Sequence, residues 1–189
     1  MCGSGICMTI FTPHGGYQNL IAFKSSTVVY DLTAEFCKLY VKDWRMRDQM
    51  IQAARSGRQN IAEGSQTSAT SKRTEIHLVS VARSSLEELL LDYKDYLRQR
   101  KLPEWGKDHA ETRVIRQLGY RIDRSCETYT SYMAQPEAAA NAIICIIYQT
   151  TYLLNRLMLA LEQDFLENGG FKERMTAERN KIKYGNKTN

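Results

Sequence analysis

Apolar positions along this chain recur three and four residues apart in long runs, and no stretch alternates long enough to defend a strand. Val29, Leu32, Phe36, Leu39 and Tyr40 form the first stripe, and with Ser25 or Ser26 as cap they predict a helix over about 26–43. Met46, Met50, Ala53, Gly57 and Ile61 mark a second over about 45–64. The polar run 65–71 breaks it, and Thr70 or Ser71 can cap a third helix over about 72–101. That helix carries Val79, Leu86, Leu89, Tyr93 and Leu97, and ends on Arg98, Arg100, Lys101 and then Pro103. Ile115, Leu118, Ile122, Cys126, Tyr129 and Met133 predict an amphipathic helix over about 107–133. Pro136 suits the first turn of a last helix, about 137–166, which Gly169 and Gly170 terminate. Its main stripe, with Ile144, Ile147, Leu154 and Leu161, is widened by Ile143, Ile146, Leu153 and Leu157, as burial against more than one neighbour requires. The pattern predicts an all-α, up-and-down four-helix bundle with one additional helix, over 26–166. An irregular leader, 1–25, and a basic tail, 167–189, flank it, and either Met1 or Met8 can serve as the start.

The second helix is unusual on one face. Ala53, Ala54, Gly57, Ile61 and Gly64 fall together there, so another backbone can come close. Asn60 and Glu63 lie near that contact and need hydrogen-bond partners if it closes over them. A packed seam with satisfied polar groups is the simpler account, and a catalytic Glu63 the sharper one.

Asn60, Ile61, Ala62, Glu63 and Gly64, then a Ser-rich break, then Ser85, Glu88 and Leu89, also resemble the four-helix-bundle proteins encoded in 23S rRNA intervening sequences. The accessory variability determinant proteins of diversity-generating retroelements are similar. The resemblance covers roughly 26–100 and the last helix, 138–166. Ser84 stands where family members usually have Gly, and the segment 104–134 and the tail after 170 are additional. The resemblance implies a homo-oligomer, pentameric in the family, and a reverse transcriptase as a protein partner whose RNA or cDNA the bundle helps to hold.

Charge sharpens this picture. The net charge is +5, yet residues 172–187 hold six basic side chains against two acidic ones, which leaves the body at +1. Lys172, Arg174, Arg179, Lys181 and Lys183 in the tail are therefore candidate phosphate contacts for RNA or single-stranded DNA. Arg45, Arg47, Arg55 and Arg58 on the second helix join them, as do Lys72 and Arg73 at the start of the third. Arg113, Arg116 and Arg124 can share a side of the additional helix. Tyrosines beside these arginines can stack on bases, or else Tyr30, Tyr93, Tyr129 and Tyr148 belong to the core or an interface. The acidic cluster Glu87, Glu88, Asp92 and Asp95 reads as a solvated face, with Glu88 alternatively an interior acceptor.

Enzyme chemistry finds no foothold. The residues three before His14, His77 and His109 are Phe11, Thr74 and Gly106, so no Glu-x-x-His pair for a di-iron bundle exists. There is no phosphate-binding GxxxxGK loop and no nucleophile–base motif. No cofactor or metal is expected. Five cysteines form neither a CxxC pair nor a zinc pattern, and Cys37 and Cys145 sit among apolar residues, which suits a reducing compartment. No signal peptide is evident, and residues 138–148 are too short a run, bounded by too many polar groups, for a membrane span. The expected location is the cytoplasm. The leading function is a non-enzymatic, oligomeric, nucleic-acid-binding adaptor; the alternative is a protein-only helical interaction module.

Overall fold

A computed structural model of the chain describes residues 16–120 and 125–185. Within them lie six α-helices, two 3-10 helices and no strand. A 3-10 turn, Gly16–Asn19, leads into α1, Ile21–Tyr40. This helix starts before the two serines expected to cap it. Ser25 and Ser26 are buried inside it, because their hydroxyls find other partners: Ser25 Oγ meets Thr150 Oγ1 at 2.7 Å, and Ser26 donates to the Phe23 carbonyl.

Asp43 caps α2, Trp44–Thr67, by accepting from the Met46 amide at 2.8 Å. The helix continues one turn beyond the expected end at Gly64. Thr67 and Ser68 donate back to the Gly64 and Ser65 carbonyls, so the hydroxyls of the polar run finish this helix. Ser71 caps α3, Lys72–Gln99, through the Thr74 amide. Lys101, at φ 55°, then turns the chain out of the helix in the left-handed region.

The additional segment is not one helix over 107–133. It consists of a nine-residue α4, Ala110–Leu118, and a 3-10 helix, Cys126–Ala134. Gly119 ends α4 where a Cβ would lie 2.5 Å from the Gln149 side chain, so the chain passes against α5 at that point. Ser125 and Thr128 form a reciprocal capping box that restarts the chain. Ile115, Tyr129 and Met133 are buried as the apolar spacing requires, whereas Ile122 and Arg124 lie outside the described residues.

With Pro136 in its first turn, α5, Pro136–Asn168, is the central helix, and residues 139–147 are all buried. It packs antiparallel to α3 and α1, and α2 closes the square between them, as paired positions show: Tyr30 with Arg58, Ser56 with Ser85, Lys72 with Asp164, and Ser25 with Thr150. The molecule is an all-α, up-and-down four-helix bundle built from α1, α2, α3 and α5. Aromatic rings fill one end of its core. Phe36 meets Tyr93 and Tyr96 edge-on at 4.9 and 4.8 Å, and the Tyr93 hydroxyl donates to Thr33.

By length and composition α5 reaches what a membrane span requires, more than its central run had suggested. Half of the apolar window is buried, however, as in a core helix of a bundle. Gly169, at φ 65°, ends α5, and the basic tail forms α6, Phe171–Gly185. None of residues 171–184 is buried.

Candidate nucleic-acid interface

The seam between α2 and α3 is where the Asn-Ile-Ala-Glu-Gly string acts. Ala54, Gly57, Ile61 and Gly64 are buried on one face of α2. A Cβ at Gly57 would stand 2.8 Å from Leu86 Cδ2, and one at Gly64 3.3 Å from the Glu75 carbonyl oxygen. Glycine at these two positions therefore sets how closely the helices approach. Asn60 donates to the Ser56 carbonyl and hydroxyl, and Ser56 Oγ meets Ser85 Oγ at 3.0 Å, so amide and hydroxyls form one chain across the seam. Glu63 and Glu88 point elsewhere. Both are exposed, so Glu63 needs no buried partner and Glu88 is not an interior acceptor.

The candidate basic residues divide into groups. Arg47, Arg55 and Arg58 follow the flank of α2 that borders α1. Arg58 lies over the Tyr30 ring at 4.4 Å, half-buried, while Arg47 and Arg55 are exposed. Arg45 rests over its neighbour Trp44 on another side. At the opposite end of α2, Lys72 is engaged within the fold. Its ammonium holds Asp164 at 3.1 Å and Glu75 at 3.3 Å, and so ties the start of α3 to the end of α5. Hydrogen bonds from Asn168 and Lys72 hold the Asp164 carboxyl below the usual carboxylate range, with the Lys72 and Arg174 charges assisting. Burial opposes the charge on Lys72, but Asp164 and Glu75 outweigh it and raise its pKa. Arg73 beside it is exposed.

Of the side expected to be shared by Arg113, Arg116 and Arg124, the first two are exposed on α4. Arg113 reaches Asp108 at 3.8 Å, Arg116 is placed by the Cys145 thiol on α5, and Arg124 lies outside the described residues. In α6, Lys172, Arg179, Lys181 and Lys183 are exposed, with Lys181 paired to Glu178, and Arg174 is half-buried near Asp164. The thirteen described positions thus do not converge on one patch. α6 and Arg73 lie at the end of the bundle where α5 finishes; Arg45 and Arg47 lie at the other.

Of the tyrosines, Tyr93 and Tyr129 are core, Tyr30 is half-covered by Arg58, and Tyr148 is exposed. Burial pushes the Cys37 thiol up to about 12, as befits a small core residue, with its sulfur 3.9 Å from that of Met50. Among the described residues no three His, Cys, Asp or Glu side chains are arranged to hold a metal ion.

No curated protein matches the chain, and neither does any solved structure. Residues 20–108 match the model of the 23S rRNA-intervening sequence protein family; the match takes in α1, α2, α3 and the connection that follows, and leaves α5 outside it. Over residues 20–108, with the Asn60 to Gly64 string at the α2–α3 seam, the chain is similar to the 23S rRNA-intervening sequence protein family.

Proposed function

We propose that this protein is a non-enzymatic, self-assembling adaptor that binds RNA or single-stranded DNA in the cytoplasm. The observation that carries this is α6: five basic side chains against two acidic ones, on a helix with no fully buried residue among 171–184 and no place in the hydrophobic core. A solvated basic helix beside a nearly neutral bundle is suited to phosphate contact without base selection. Arg73 at the same end, and Arg47, Arg55 and Arg58 along α2, extend the basic surface. The family resemblance supports a reverse transcriptase as a protein partner and a pentameric assembly.

The test compares the full chain with a version ending at Gly170, titrated with mixed-sequence RNA and single-stranded DNA at several salt concentrations. If α6 makes about four contacts, its loss flattens the log–log salt slope by about three units, at roughly 0.7 per contact. Equal affinities and slopes would move any binding to the arginines of the bundle. No binding by either version at low salt would leave a protein-only module. That second reading has its own support, since Tyr152, Leu159 and Leu166 recur every seven residues on α5 and are 60%, 62% and 83% exposed.

A further inference from the structure

A cavity of about 620 Å³ opens between α4, the connection before it and α5. Its volume lies in the range of about 300–1,000 Å³ typical of ligand sites. Ile144 and Cys145 of α5 lie at its base, and Trp105, Tyr120, Tyr148 and Tyr152 supply aromatic surface around it. Three of these rings are exposed, Tyr120 at 86%.

Trp105, partly buried against the core, is held by three further contacts. Its backbone N–H donates to Asn141 Oδ1 at 2.7 Å, its indole N–H to Glu137 Oε1 at 3.1 Å, and His109 stacks on it at 4.6 Å with 10° between the rings. The amide of Asn141 is in turn tied to the Pro103 and Glu137 carbonyls. A half-buried indole fixed in three ways is a preorganised stacking surface. Charge at the cavity favours an anion. Arg116 and Lys107 line it, and the one acid there, Glu104, is paired with Lys94 at 3.5 Å.

A second cavity, of about 780 Å³, lies between the ends of α1, α2 and α3 and offers less. Its Tyr96 ring is covered by the Arg100 guanidinium at 3.7 Å, the Tyr40 hydroxyl is bonded to the Met133 carbonyl, and Asp43 and Asp92 oppose its basic groups.

We propose that the cavity beside α4 seats one unstacked base of a bound single strand, stacked on Trp105 and Tyr148, with Arg116 and Lys107 against the adjoining phosphate. The proposal rests on the nucleic-acid reading above and names where on the molecule a base is held. Exposed rings and cations around an open mouth let a base enter while still attached to its strand.

The test uses the full chain with Trp44→Phe, so that Trp105 is the sole indole fluorophore. Adenosine and uridine monophosphates should quench it saturably, and ribose 5-phosphate should not. Arg116→Gln and Tyr148→Ala should each weaken the mononucleotide by about tenfold, the scale of one stacking or phosphate contact. Both should also weaken a mixed-sequence oligonucleotide, without steepening its salt dependence. Arg116 is exposed on a short helix, so its variant tests the site even if Tyr148→Ala disturbs packing against Lys94. An oligonucleotide that binds equally to parent and variants, with no saturable quenching by mononucleotides, overturns the pocket and leaves the proposed function standing. Mononucleotide binding without any oligonucleotide binding overturns the proposed function and the strand-held base together. Loss of oligomer mass in Tyr148→Ala, with no nucleotide effect, assigns the cavity to a second copy of the chain and overturns the proposal.

Discussion

A methyl group added to Gly57 would overlap the side chain of Leu86, which is itself fully buried and has nowhere to turn. Gly57→Leu should therefore overpack the α2–α3 seam at a cost of about 1–3 kcal/mol or more, and lower the melting temperature by several degrees. A variant melting within about two degrees of the parent would show that α3 can retreat without penalty. Gly64 faces the Glu75 backbone, which cannot rotate away, so Gly64→Leu should be no milder. Asp164 gives a test in pH. Its folded-state pKa is depressed, so its contribution is present above the unfolded value of about 3.9 and is lost as pH falls through the folded value. Asp164→Asn should melt below the parent at pH 7, and the difference should close as pH drops below about 4. A gap that stays undiminished as pH falls through the folded value would place the effect in packing instead of charge.

The helices that were legible in advance are those burying one continuous face. The stripes through Phe36, Leu86 and Ile147 each pack on two neighbours, so spacing alone located α1, α3 and α5. What was hidden depends on partners far along the chain. The start of α1 escaped because Ser25 bonds to Thr150, which no local capping rule can see. The break in the 107–133 segment escaped because the 3-4 apolar spacing runs through it, whereas α4 ends where Gly119 lies against Gln149. α6 has no buried stripe, so nothing in the apolar spacing marks the basic tail as a helix. Among the site candidates, Lys72 looked like any other lysine until Asp164 was found 3.1 Å away, and Trp105 showed no motif because Asn141, far downstream, fixes it. The seven-residue stripe on α5 carries its own prediction. Leu159→Glu with Leu166→Glu should leave the helix content unchanged and reduce the solution mass, read by light scattering, if that stripe joins copies. An unchanged mass would free the stripe for a different protein.

Taken whole, the exposed stripe of α5 leaves more apolar surface uncovered than a lone bundle requires. The isolated chain should accordingly form a stable homo-oligomer, and a mass of only 21.7 kDa at micromolar concentration would rule this out. The long route from α3 to α5 also has a consequence in time. Turns of three and four residues join α1 to α2 and α2 to α3, but 36 residues separate Gln99 from Pro136. Antiparallel neighbours can be joined by two to eight, and each doubling of a loop adds about 0.6 kcal/mol to the entropy of closing it. The excursion thus adds about 1.5–2 kcal/mol to the docking of α5 until α4 and the 3-10 helix settle. During synthesis the first three helices emerge as a local unit with the groove for α5 still open. Phe36, Leu86 and Tyr93 wait there for a strip of alanine and isoleucine that leaves the ribosome some forty residues later. At roughly 5–20 residues per second that is a window of several seconds, the interval in which the nascent chain is most exposed to a wrong partner.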